Sequence, residues 1–139
     1  MSLATVDALL AASCLHLGFQ ALVTGVVYPA LTDVPPERFP AAHAAHSRRI
    51  TAVVAPVYAL LAAACLAVLV AGPRSAPALA SIAAAAVAAG TTALVAVPAH
   101  GRLGREGRSD DVLRRLRRAD YVRCTAAILG SIGAVLSTS

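Results

Sequence analysis

Four stretches of this sequence are long, apolar and almost free of charge, and no other feature restricts the fold so strongly. They run over about residues 5–31, 50–71, 76–98 and 119–136. A helix of about 20 apolar residues crosses the hydrocarbon core of a bilayer. Within that core the backbone must satisfy its own polar groups, which a helix does. The four stretches use up most of the 139 residues, leaving no room among them for a separate soluble domain. The expected fold is all-α: a four-transmembrane-helix, up-down-up-down bundle forming one integral membrane domain over 1–139. Its helices should cover about 3–31, 40–71, 75–98 and 110–136. Only 14% of the residues are charged, against about a quarter in soluble domains. The first stretch lacks a basic leader and carries Asp7, so it is expected to remain as the first helix.

The net charge of +5 comes from arginine, with no lysine in the chain. In a soluble protein this balance suggests nucleic acid. Here no aromatic stacking platform accompanies it, and the arginines lie in the connections. The first connection holds Arg38, Arg48 and Arg49, and the third Arg102, Arg105, Arg108, Arg114, Arg115, Arg117 and Arg118, whereas the second has only Arg74. Basic residues concentrate on the cytoplasmic side. That rule puts connections one and three in the cytoplasm and both termini outside, as expected for a bacterial inner (cytoplasmic) membrane. The same side chains can reach anionic lipid headgroups.

Local signals place the helix ends. Pro35 and Pro36 break the chain, and Pro40 suits the first turn of the second helix. Pro56 falls inside that helix and predicts a kink. The third helix is expected to stop at Pro98. Ser109 is a candidate N-cap for the fourth, with Asp110 and Asp111 at the positive end of its dipole. Alanines with Gly90, and the Gly130/Gly133 pair, allow close helix approach. Cys14, Cys65 and Cys124 lack paired spacing and read as small packing residues.

Polar residues inside such segments need a partner or a cavity. His16, Gln20, Thr24 and Tyr28 recur every four residues, forming one stripe on the first helix. Hydrogen bonds to neighbouring helices or a lined cavity would each satisfy it. His43 and His46, three apart, share a face of the second helix; solvation among headgroups or shared metal ligation fits that spacing. His100 follows VPA at the cytoplasmic end of the third helix, where Asp120 and Arg123 enter the fourth at i,i+3. These groups are expected to meet in one polar pocket. His16 lies too far along its helix to ligate one ion with the other histidines. Three imidazoles suit copper, iron or zinc. Without metal, a histidine can act as general base while Arg123 stabilises an oxyanion.

VPAHGRL, followed some twenty residues later by ADYVRC, resembles the pattern of the anthrone-oxygenase-like family of small four-helix membrane proteins. That pattern has a proline, a polar residue and a leucine at the end of helix three and an arginine at the start of helix four, here Pro98, His100, Leu103 and Arg123. The first half, from Gln20 through YPAL to FPAAHAAHSRRI and VVAPVY, is similar to membrane proteins of the same general form. His100 stands where that branch has asparagine, and tryptophan is absent. The resemblance implies oxidation of a small amphiphilic or aromatic molecule drawn from the membrane. The expected assignment is His43, His46 and His100 as metal ligands. The catalytic group is His100, Arg123, Asp120 and Tyr28, with His16, Gln20 and Thr24 lining the cavity. The alternatives are a binding or transport protein, which requires a homo-oligomer, and a non-catalytic accessory subunit.

Overall fold

A computed structural model describes residues 2–139. Four helices are long and apolar enough to cross a membrane: α1 (Ala4–Thr32), α2 (Phe39–Ala71), α3 (Ala76–Glu106) and α4 (Asp110–Leu136). No strand occurs among the described residues. In the bundle α1 packs on α2 and α4, and α3 packs most closely on α4. The seam between α2 and α3 is the loosest between sequential helices.

The distribution of side chains is that of a protein immersed in lipid. Val70 and Leu94 are about three-quarters exposed (74% and 75%), whereas Gln20, Asp120 and Arg123 are 0, 2 and 5% exposed. In water this arrangement would leave large apolar side chains solvated and place charges in the core, against the usual preference. In hydrocarbon the outer face costs nothing, and the polar groups find partners inside. The bundle is therefore an integral membrane protein. Its interior has two apolar layers. One, containing Leu31, Phe39, Leu103, Val112, Leu113 and Leu116, closes the end holding the α1–α2 and α3–α4 connections. The other, containing Leu9, Leu61, Val68, Ala78 and Ala134, fills the opposite half. The buried ion pair lies between them on α4.

The sequence of α4 explains its position. Val112, Leu113, Leu116, Ala119, Asp120 and Arg123 are buried on one stripe, while Arg114, Arg115, Arg117 and Arg118 are exposed on the other. Helical periodicity thus separates four outward arginines from the inward Arg123. Ser109 occupies the N-cap position in extended conformation, but its hydroxyl makes no cap hydrogen bond. The cap role expected of that side chain is therefore not realised; Asp110 and Asp111 do occupy the first turn. Arg108 ties the two connections together: Nη1 donates to the carbonyls of Thr32 and Val34, and Nη2 pairs with Asp110. Its place is structural, at the C-terminal end of α1, where a cation satisfies free carbonyls. At the other end of α4, Gly133 permits close approach to α3, since a Cβ there would lie 2.8 Å from the Pro77 carbonyl oxygen.

The expected end of the third helix at Pro98 is corrected, because α3 continues to Glu106. Proline removes one backbone donor and crowds the carbonyl four residues earlier. Just ahead of it, Thr92–Ala96 widens into a π-turn, which absorbs the mismatch. The same device recurs in α1, where the π-turn Val23–Val27 precedes Tyr28-Pro29. Pro56 also stays within a continuous helix.

Candidate functional site

Seven polar side chains from all four helices meet near the bundle axis. Gln20 Nε2 donates to Asp120 Oδ1 at 2.6 Å, and Arg123 Nη2 donates to the same oxygen at 3.1 Å. Arg123 Nη2 also donates to the Tyr28 hydroxyl at 3.0 Å. That hydroxyl lies 3.3 Å from His100 Nε2, and His100 Nδ1 lies 3.1 Å from His43 Nε2. The result is an unbroken chain, Gln20–Asp120–Arg123–Tyr28–His100–His43. His46 flanks it with ring centroids 5.5 Å from His100. Since Arg123 can only donate, the Tyr28 oxygen accepts from it. The phenol hydrogen then serves His100 Nε2, leaving hydrogen on Nδ1 to serve His43. This assignment follows from satisfying the network, as tautomers generally must.

The expected convergence of Tyr28, His43, His46, His100, Asp120 and Arg123 is thus present. The local reasons were periodic: Asp120 and Arg123 share the buried face of α4, and His43 lies one turn inside α2 next to the Phe39 ring. Arg123 and Asp120 are both nearly inaccessible and form a 3.1 Å ion pair. Such a pair repays desolvation only when its remaining sites are hydrogen-bonded. Gln20 supplies one such bond to Asp120 and Tyr28 accepts one from Arg123, while Arg123 Nε stays unpaired.

The three histidines cluster without forming a converging donor set. Among the described residues, no group of three His, Cys, Asp or Glu is arranged to hold a metal ion. The reason is visible in the His43–His100 pair. Its ring centroids are 5.4 Å apart with planes 25° from parallel, exceeding the 3.1 Å nitrogen separation by roughly two ring radii. The imidazoles therefore meet head-on, each nitrogen aimed at the other. Ligands of one ion aim at a common point about 2 Å from each nitrogen.

An apolar cavity of about 210 Å³ opens beside this network. Phe19, Val23, Ile50, Val54, Ala96 and Val97 form most of its wall, and Tyr28, His100 and Arg123 stand at its polar part, with Ser47, Thr51 and Thr92. Exposed Thr51 and Val97 (61%) mark a lateral mouth at the loose α2–α3 seam. Two atoms in its lining residues, Arg123 Nε and Ser47 Oγ, are buried without a hydrogen-bond partner, as is the neighbouring His46 Nε2. Buried polar groups are nearly always paired, and these three atoms are shielded exceptions beside the cavity.

His16, Gln20 and Thr24 are not among the residues lining this cavity. Gln20 stands behind it, holding Asp120. Thr24 donates to the Gln20 carbonyl of its own helix. His16 packs edge-on against Tyr58 at 5.1 Å, and Tyr58 bonds Thr92 at 2.9 Å. The stripe on α1 points inward, yet helix packing gave its members different neighbours. Ser47, Thr51 and Thr92 were missed. His43, Ser47 and Thr51 follow at four-residue spacing, so the periodic test applied to α1 would have found the first two. Tyr121 is exposed and pairs with Arg117.

No protein-family model, curated protein or solved structure matches the chain. What the geometry defines is a small integral membrane helix bundle with a buried polar site and a lateral apolar cavity.

Proposed function

We propose that the chain is a membrane-embedded oxidoreductase of the oxygenase kind, acting on a small amphiphilic or aromatic molecule that arrives through the bilayer. The observation that carries this reading is the cavity, an apolar chamber opening at the α2–α3 seam and lined at its polar part by the Arg123, Tyr28 and His100 side chains. Pockets of this character, apolar with a few convergent polar groups, are the usual form of small-molecule sites. The reaction class is taken from the resemblance to the anthrone-oxygenase-like pattern at Pro98, His100, Leu103 and Arg123.

In this reading a substrate oxygen accepts from the Arg123 guanidinium. An activated C–H or O–H of the substrate gives its proton to the Tyr28 oxygen as the phenol hydrogen passes to His100 Nε2. His100 then passes its Nδ1 hydrogen to His43. Arg123 opposes the negative charge left on the substrate, in a site without bulk water. The electron-rich species reacts with dioxygen; an activated methylene becomes a carbonyl, and the second oxygen atom leaves as water. No step runs through a metal, because the imidazoles do not converge on one position. With arginine-rich connections facing the cytoplasm, the site lies toward the cytoplasmic side of a bacterial inner membrane, with both termini outside.

Oxygen uptake by the protein in lipid nanodiscs, supplied with small phenols and enolisable ketones, tests the proposal. Wild type should consume oxygen, and His100→Asn or Tyr28→Phe should lose about 10²-fold or more while remaining folded, the scale of general acid–base catalysis. Unchanged uptake in both variants would defeat it. A transport role has one observation in its favour. Buried polar groups continue into the opposite half as His16, Ser13, Ser81 and Ser131, with Ser13 and Ser81 hydroxyls 3.5 Å apart and Ser131 donating to the Ser13 carbonyl. Substrate flux into sealed liposomes without oxygen uptake would favour that role, which requires a homo-oligomer.

A further inference from the structure

We propose that Asp120 is the residue that sets ligand selectivity, making the cavity accept uncharged oxygen-bearing molecules and reject carboxylates. The proposal rests on the reading of this cavity as a ligand site, and concerns binding instead of oxidation.

The argument is one of charge balance. With the imidazoles neutral, the buried formal charges among the described residues are Arg123 and Asp120, one of each sign. Arg123 lines the cavity, whereas Asp120 stands behind it, fixed by Gln20. A guanidinium facing an apolar chamber would ordinarily attract a carboxylate, which it grips through two parallel N–H bonds. Here the Nη2 group is already engaged by both Asp120 and Tyr28. Nε remains without a partner. The side-on fork formed by Nε and Nη2 is therefore half occupied and cannot grip a carboxylate through two parallel bonds.

Energy points the same way as geometry. A carboxylate entering this chamber would be a second negative charge against one positive charge, leaving a net charge of one in a low-dielectric interior. Buried charge without compensation is strongly disfavoured. A ketone, phenol or alcohol brings no charge, accepts from the Arg123 guanidinium and places its apolar body against Phe19, Ile50 and Val54. Proton transfer from such a ligand to a histidine also leaves the site neutral. Asp120 acts through Arg123 and is a positioning residue.

Three matched probes test the idea: 4-butylacetophenone, 4-butylphenol and 4-butylbenzoate, each titrated against protein in zwitterionic nanodiscs, with empty nanodiscs correcting for partition. Ile50→Trp, which fills the chamber, identifies binding at this site, with circular dichroism and thermal unfolding checking the fold. In wild type the two neutral probes should bind at least tenfold more tightly than the benzoate, and Ile50→Trp should abolish that binding. Asp120→Asn keeps the size and the acceptor oxygen while removing the negative charge. It should invert the order, with the benzoate gaining about tenfold or more over the ketone. A merely structural role would weaken all three probes together. Wild type preferring the benzoate, no site-specific binding by a neutral probe, or an unchanged order in folded Asp120→Asn would each overturn the proposal. Selective neutral binding without oxygen uptake would leave it standing and remove the oxidoreductase reading.

Discussion

Removing the two members of the Asp120–Arg123 pair together should cost far less than the sum of removing each alone. Asp120→Ala deletes the oxygen that accepts from Gln20 at 2.6 Å and from Arg123 at 3.1 Å. It leaves a guanidinium that is 5% exposed with no countercharge. Breaking a buried ion pair from one side costs about 3–5 kcal/mol. Polar contacts within membrane bundles average only about 0.6 kcal/mol, with a maximum near 1.7. The larger figure governs here, because what remains is a full charge and not a neutral amide. About 3 kcal/mol is expected. Arg123→Met should cost about 2 kcal/mol, since a stranded carboxyl keeps the Gln20 amide and can neutralise itself by taking a proton. The double variant has no buried charge, so only a cavity and one unsatisfied amide remain, at about 1–2 kcal/mol. The coupling energy is then about 3 kcal/mol, well above the additivity error of about 0.5. Reversible unfolding in mixed detergent micelles, followed by far-ultraviolet circular dichroism, measures all four proteins. A double variant that loses the sum of the two single effects would refute the reasoning.

Packing and orientation give further tests. Gly133→Ala should destabilise by about 1–3 kcal/mol, because its Cβ meets the Pro77 carbonyl at 2.8 Å. Gly18→Ala, with nothing within 4 Å, should be neutral or stabilising by up to about 1 kcal/mol; both are read from unfolding midpoints. A C-terminal alkaline phosphatase fusion should be active and a C-terminal green fluorescent protein fusion dark in a bacterial host, and the reverse pattern would contradict the charge-derived topology. Metal analysis of purified protein should give well under one equivalent, because the His43–His100 nitrogens face each other; near-stoichiometric iron, copper or zinc, lost in His43→Ala, would overturn that geometry.

The elements were legible because each follows from local chemistry. Apolar runs of membrane-spanning length require helices, and the expected bounds of α2 and α4 match Phe39–Ala71 and Asp110–Leu136 closely. Periodicity put Asp120 with Arg123 and gathered His43, His46 and His100 at one end. The boundary of α3 differs from the expectation because Pro98 by itself reads as a stop signal, whereas a π-turn at Thr92–Ala96 precedes it and the helix runs on to Glu106.

By itself, then, the sequence determined that four helices span a membrane and that a few polar residues must hide from lipid, because burying charge in hydrocarbon is costly whatever the packing. The tertiary structure alone decided how those residues divide. Depth along α1, with the π-turn Val23–Val27 between Gln20 and Tyr28, put Tyr28 on the cavity wall, Gln20 against Asp120 and His16 against Tyr58, although spacing puts all three on one stripe. The close fit of α3 on α4 and the loose α2–α3 seam left the chamber where it is. The head-on meeting of His43 and His100 depends on angstrom-scale placement of two helices separated by 57 residues, which residue spacing within one helix does not encode.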